Sequence, residues 1–232
     1  MKQVTAILGA MPEEVSKIIA NMTITREHSW NSFIIYEGQL ENTAVIVAKS
    51  GVGKIMSSMF TQYLANNFSI KQIIFTGLAG GISNNLNIGD IIIAEDLVQY
   101  DMDVTNLGFK IGQIPYTDIR FIPCDKKLIA LAKTYKSNKH QVHLGRILTG
   151  DTFVTHEQQL LLINKFQELQ GDAVEMEGAA VALVAFLNNI PCIIIGTISD
   201  KADGSALVNF NEFLPLASEN SFKIISHILK EI

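Results

Sequence analysis

Short apolar runs, separated by polar and glycine-bearing turns, recur along the chain and alternate with stretches whose apolar positions repeat at helical spacing. The first run, residues 4–8, ends in Gly9-Ala10-Met11 and leads into Pro12-Glu13-Glu14-Val15. Proline at a first helical position and acids in a first turn predict strand, tight turn and helix there. Residues 33–39 and 44–49 predict a hairpin about Glu41-Asn42-Thr43. A helix over 55–66 follows, then a buried strand over 72–76 that runs into a glycine turn, Gly77-Leu78-Ala79-Gly80-Gly81. Residues 90–97 predict another strand. The polar, Gly- and Pro-bearing segment 99–120 predicts a long irregular stretch of the kind that forms lids or subunit contacts. A strand over 143–149, a helix over 157–166, a short strand over 172–175, a helix over 177–188, a β-rich run over 191–199 and an amphipathic helix over 211–230 complete the pattern. Alternation of this kind predicts a three-layer α/β/α fold around a mainly parallel sheet. With no linker or repeat, the 232 residues fit a single domain over 1–232.

Composition narrows the possible partners. A hydrophobic fraction of 48% and a mean hydropathy of +0.25 supply a large core and argue against disorder. No apolar run reaches the roughly 18 residues of a membrane span, and none has signal-peptide flanks, so a soluble cytoplasmic protein is expected. The net charge is −5 and there are three arginines, Arg26, Arg120 and Arg146, which argues against a nucleic-acid surface and leaves few fixed cations for phosphate. Cys124 and Cys192 form no CxxC pair, so reduced thiols are expected. His156-Glu157 lacks a second histidine at helical spacing, and no metal site is expected; His140 and His143 read as solvated loop residues.

Two glycine motifs can be set aside. Lys49-Ser50-Gly51-Val52-Gly53-Lys54 has Ala48 where a phosphate-binding loop needs glycine and Ile55 where it needs Ser or Thr. Gly77 to Gly81 is not GxGxxG, which removes a dinucleotide site, although bare backbone at Leu78, Ala79 and Gly80 would let a flat or polar ligand come close.

The carboxylates carry more information. Ala173-Val174-Glu175-Met176-Glu177-Gly178-Ala179-Ala180 sets two acids between a short apolar strand and a helix of small residues. Dipole compensation accounts for an acid at Glu177 if it is taken alone. Glu14 and Asp200 lie at two further strand ends, so that three junctions can face one crevice, where open α/β sheets hold ligands.

Gly9-Ala10-Met11-Pro12-Glu13-Glu14, Ser50-Gly51-Val52-Gly53-Lys54, Thr76-Gly77-Leu78-Ala79-Gly80-Gly81, Val174-Glu175-Met176-Glu177 and Ile198-Ser199-Asp200 together resemble the 5'-methylthioadenosine/S-adenosylhomocysteine nucleosidases of the purine nucleoside phosphorylase superfamily, with order and spacing intact from first strand to last helix. The resemblance implies a mixed, partly barrel-like sheet, a homodimer, and cofactor-free hydrolysis of an N-glycosidic bond to adenine and a 5'-thioribose. It implies that Glu14 activates water, that Asp200 protonates purine N7 with Ser199 orienting it, and that Glu177 binds the ribose diol with Met176 against the sugar. Phe153 would stack on adenine and Val154 would bond its edge through backbone. Phe210 would close over the ribose, Met11 and Val52 would line the 5' pocket, and Leu107 and Pro115 would reach in from a partner subunit. Glu175, Leu78, Ala79 and Gly80 complete the substrate-binding set. Two positions depart from the family's pattern: Gly196 stands where an arginine helps to hold the water, and Leu78 where serine is frequent. Phosphorolysis, cleavage of futalosine or aminofutalosine, and a non-catalytic storage role are the alternatives on the same fold.

Overall fold

The computed structural model describes residues 3–201 and 206–232, without the side chains of residues 156 and 206–212. Among the described residues ten strands form one mixed sheet. In chain order they are β1 (Val4–Gly9), β2 (Thr23–Trp30), β3 (Phe33–Leu40), β4 (Thr43–Lys49), β5 (Ile70–Gly81), β6 (Ile91–Gln99), β7 (Ile122–Pro123), β8 (Val142–Thr149), β9 (Ala173–Glu175) and β10 (Cys192–Asp200). The helices are α1 (Pro12–Asn21), α2 (Lys54–Asn67), α3 (Lys126–Thr134), α4 (His156–Leu169), α5 (Gly178–Leu187) and α6 (Ala206–Lys230).

The strand order β10-β6-β8-β9-β5 closes on itself because β10 also pairs with β5, giving a five-stranded barrel. From β5 the sheet continues outward through β1, β4, β3 and β2. Parallel pairings join β4, β1, β5 and β10, and also β6, β8 and β9; antiparallel ones form the β2–β3–β4 meander and close the barrel. The mixed, partly barrel-like architecture expected above is therefore present. One core, with Phe60 of α2 and Ala179 and Ala182 of α5, covers one face; the other, with Val15 and Ile18 of α1, Leu128 of α3 and Ile224 and Ile228 of α6, covers the opposite face. Among the described residues no helix is long and apolar enough to cross a membrane.

Several boundaries differ from the sequence pattern for physical reasons. Gly77 to Gly81 is not a turn but the continuation of β5, which leaves β1 after Phe75 and takes β9 as partner at Gly80 and Gly81. Glycine there admits close neighbours rather than a positive φ. Strand β2 was missed because its side chains lie mostly in solvent and carry no apolar alternation. Helix α3 was missed although Asp125 caps it, accepting the Lys127 and Leu128 N–H groups at 2.9 and 3.0 Å. His143 opens the strand expected over 143–149 but is not solvated: it sits half-buried on β8 with Nε2 3.1 Å from Asp90 Oδ2, and His140 is half-buried with its ring against Gly89. Residues 100–121 are irregular apart from a 3-10 turn at Thr105–Leu107, as the composition predicts.

Candidate active site

Strand register brings the acidic junctions together. Asp200 pairs with Gly80 and Gly80 with Val174, so the ends of β10, β5 and β9 lie side by side. On the other flank β1 runs beside β5 and delivers α1 at the same rim. The result is a cavity of about 160 Å³. From the β1–α1 turn it takes Met11 and Glu14, from β5 Leu78, Ala79 and Gly80, and from the segment after β8 Phe153 and Val154. Glu175, Met176 and Glu177 enter from the β9–α5 junction, Ser199 and Asp200 from the end of β10, and Val52 from the β4–α2 turn. Ala10, Thr152 and Val174 also line it without having been singled out in the sequence; Ala10 and Val174 lie within motifs quoted above, and Thr152 directly precedes Phe153. Leu107 and Pro115 do not line it, and the side chain of Phe210 lies outside the described residues.

Glu14 is buried and held by backbone alone among its hydrogen bonds: Met11 N–H donates to Oε2 at 2.9 Å and Leu78 N–H to Oε1 at 3.1 Å. The first bond is the acid half of a helix cap, while the second ties the carboxylate to a different strand. Burial pushes the Glu14 carboxyl up to about 7, against the lowering effect of the Met11, Leu78 and Ala10 N–H groups, and repulsion from Glu175 adds to the rise. A Cβ on Gly77 would stand 2.9 Å from Glu14 Oε1, so glycine at 77 is what leaves room for this carboxylate. Position 196, where the resemblance calls for arginine, faces the barrel interior: a Cβ there would meet Ala79 Cβ at 3.0 Å and Ile92 Cγ2 at 3.1 Å.

The two acids of the β9–α5 junction divide the work differently from the sequence reading. Glu175, not Glu177, satisfies the helix terminus, accepting Glu177 N–H at 2.8 Å and Gly178 N–H at 2.6 Å on Oε2, with the Thr149 hydroxyl donating to Oε1. Glu177 is the N-cap residue but makes no capping bond with its side chain; instead its Oε1 accepts the Gly53 N–H at 2.6 Å. Gly53 holds φ +88°, a conformation that favours glycine, and so turns its N–H toward the cavity. Burial, then the neighbouring Glu175, pushes Glu177 up to about 9. Burial also raises Glu175, opposed by its three hydrogen bonds. At Asp200 the Ser199 hydroxyl donates to Oδ2 at 2.7 Å, fixing the carboxyl plane. Among the described residues no lysine, arginine or histidine lines the cavity. Arg146 pairs with Asp96, lies over the Phe121 ring and donates to the Leu169 carbonyl, and Arg120 bonds Ile111 O and Glu168, both away from the cavity.

The phosphorylase superfamily matches over residues 4–230. A 5'-methylthioadenosine/S-adenosylhomocysteine nucleosidase of Haemophilus ducreyi is 37% identical over 99% of this chain and 98% of its own length. The chain belongs to this nucleosidase family. Among solved structures, the corresponding nucleosidase of Neisseria meningitidis, in complex with methylthio-immucillin-A, superposes with a TM-score of 0.91 at 34% identity and covers both chains fully. The futalosine hydrolase of Helicobacter pylori superposes with a TM-score of 0.90 at 33% identity, covering 99% of this chain and 98% of its own. Membership in the family accounts for the order of the motifs.

Proposed function

We propose that this chain, acting as one domain, hydrolyses the N-glycosidic bond of 5'-methylthioadenosine and S-adenosylhomocysteine, releasing adenine and a 5'-thioribose. The observation that carries this is the meeting of Glu14, Glu177 and Asp200 with the Phe153 ring around one cavity. Phe153 stacks on adenine and the Val154 backbone bonds the base edge; Met176 lies against the sugar. Glu177 accepts the ribose 2'- and 3'-hydroxyls. Bonds of that kind contribute about 1.5–3 kcal/mol each when charge-assisted, and the acid stands where positive charge grows on the sugar. Asp200, oriented by Ser199, gives its proton to N7 as the C1'–N9 bond breaks and its electron pair leaves with the base. A water oxygen then bonds to C1' and passes a proton to Glu14. A base whose carboxyl titrates near 7 is matched to that task at neutral pH.

Hydrolysis is favoured over phosphorolysis because no cation lines the cavity among the described residues. The test is product identification after incubation with 5'-methylthioadenosine, with and without phosphate. Adenine with free methylthioribose in both is expected; a sugar 1-phosphate would contradict the reading, and absence of adenine would point to a non-catalytic role.

Glu14 depends on Gly77. Gly77→Ala should move the Glu14 carboxylate, a flexible end that gives way cheaply, and so leave Tm within a few degrees. A displacement of about 1 Å at such a group costs on the order of 100-fold in kcat/KM. An unchanged rate would remove the present position of Glu14 from the mechanism.

The likeness to a futalosine hydrolase favours a second reading, in which the same machinery takes a larger 5' group. Val52, on the 5' side with Met11, is 52% exposed, which leaves that end open. Comparing rates on 5'-methylthioadenosine and aminofutalosine separates the two.

Homodimerisation is part of the proposal. Ile55 and Met59 of α2 and Leu107 of the irregular segment are exposed apolar side chains, at 78%, 41% and 70%. Leu107 and Pro115 would complete a neighbour's 5' pocket. Sedimentation should give a dimer, and a fully active monomer would refute the shared pocket. Two buried, unpaired cysteines, Cys124 and Cys192, support a cytoplasmic location.

A further inference from the structure

Glu177 occupies a position where an acidic side chain ordinarily folds back onto its own helix. The N-cap residue's side chain commonly accepts the N–H of the second or third helical residue, yet Glu177 does not, although it is the N-cap of α5. The reason lies in how the first N–H groups of α5 are satisfied. Gly178 N–H goes to Glu175 Oε2 at 2.6 Å and Ala179 N–H to Thr149 Oγ1 at 2.8 Å. Ala180 and Val181 N–H go to the Glu177 carbonyl at 2.9 and 3.1 Å. No donor is left to draw the Glu177 carboxylate away from the cavity.

The Thr149 hydroxyl is the joint of this arrangement. It has one proton, which it gives to Glu175 Oε1, and a lone pair that takes the Ala179 N–H. Thr149 is fully buried and directly opposite Glu175 in the β8–β9 register, so no water is at hand to replace the hydroxyl. We infer that Thr149, acting through Glu175, is a positioning residue for the sugar end of the site: together they cap α5 in place of Glu177, and thereby keep the Glu177 carboxylate turned toward the ribose hydroxyls. Without the hydroxyl, the orphaned Ala179 N–H captures Glu177 and Glu175 loses a donor. Glu175 on this account touches no substrate, which departs from its place in the substrate-binding set suggested by the resemblance. The inference rests on the reading of Glu177 as the ribose ligand.

A readout specific to the sugar separates positioning from mere support of the fold. The quantity to measure is the ratio of kcat/KM for 5'-methylthioadenosine to that for its 2'-deoxy counterpart, in the unmodified protein and in Thr149→Val, Thr149→Ser, Glu175→Gln and Glu177→Gln. A site built to bond a hydroxyl rejects the analogue that lacks it, so the unmodified enzyme should favour the ribonucleoside by about tenfold or more. Thr149→Val should lower that ratio nearly to the Glu177→Gln value, and Thr149→Ser should restore it. If Thr149→Val slows both substrates equally and leaves the ratio intact, Thr149 supports only the fold and the inference is overturned. Should Thr149→Val not fold, Glu175→Gln decides by the same ratio: a collapse supports the inference, and an unchanged ratio overturns it. An unmodified enzyme that releases adenine from neither nucleoside would overturn the nucleosidase reading itself. A ratio that Glu177→Gln leaves unchanged would instead remove Glu177 from the sugar.

Discussion

Asp200→Asn is expected to abolish most adenine release while leaving the protein folded. Asparagine keeps the size of the side chain and an oxygen that can accept the Ser199 hydroxyl, which now donates to Asp200 Oδ2 at 2.7 Å. What it removes is the transferable proton. A positioned general acid contributes about 10²- to 10⁴-fold, and the loss should appear in kcat, because the stacking on Phe153 and the bonding to Glu177 proposed above are untouched. Adenine released per turnover time, measured by chromatography beside a thermal melt, checks this. A variant with near-normal kcat would take Asp200 out of the reaction.

The second large effect runs in opposite directions for stability and activity. Glu177 has an ordinary carboxyl value of 4.5 and is pushed up to about 9, first by burial and then by Glu175. Between those values the folded protein holds a proton that the unfolded chain releases, so stability is full below about 4.5 and falls as pH rises toward 9. Glu177→Gln removes that dependence and can still accept the Gly53 N–H. At pH 7.5 the interval is about three pH units at 1.36 kcal/mol each, which sets a ceiling near 4 kcal/mol; a gain of about 2–4 kcal/mol is expected. For a chain of this length that raises Tm by roughly 5–15 °C. At pH 4.5 the gain should vanish. Activity should fall, because the bound diol and the positive charge growing on the sugar favour the ionised acid and draw its proton off, a change an amide cannot make. Paired melts at the two pH values test the account, and a variant less stable at pH 7.5 would contradict it. The unfavourable burial of this acid is then a property kept for function, at a cost in stability.

The sequence made the acids at strand ends visible because charged residues interrupt apolar runs there, and Glu14, Glu177 and Asp200 do line one cavity. It could not assign the two acids of the β9–α5 junction. A carboxylate in a helix's first turn looks the same in sequence whether it caps the helix or faces a ligand, and the difference depends on Thr149, which is 26 residues before Glu175. Glycine misled at Gly77 to Gly81: its usual meaning is a turn, but here it marks a strand with Glu14 packed against its backbone. Strand β2 escaped because an edge strand in solvent has no apolar period to read. The arginine expected at 196 has no room to stand as a small adjustment, since that position faces Ala79 and Ile92 inside the barrel. Glu14 keeps its place without it, through the Met11 and Leu78 N–H groups and the room that Gly77 leaves.

A crystal structure of Asp200→Asn with 5'-methylthioadenosine bound tests the central claim most directly. The ribose hydroxyls should lie within hydrogen-bond distance of Glu177, N7 should face residue 200, and a water bonded to Glu14 should stand on the side of C1' away from the base. A nucleoside bound with its sugar turned from Glu177, or with Glu14 and residue 200 on unrelated parts of the molecule, would contradict it.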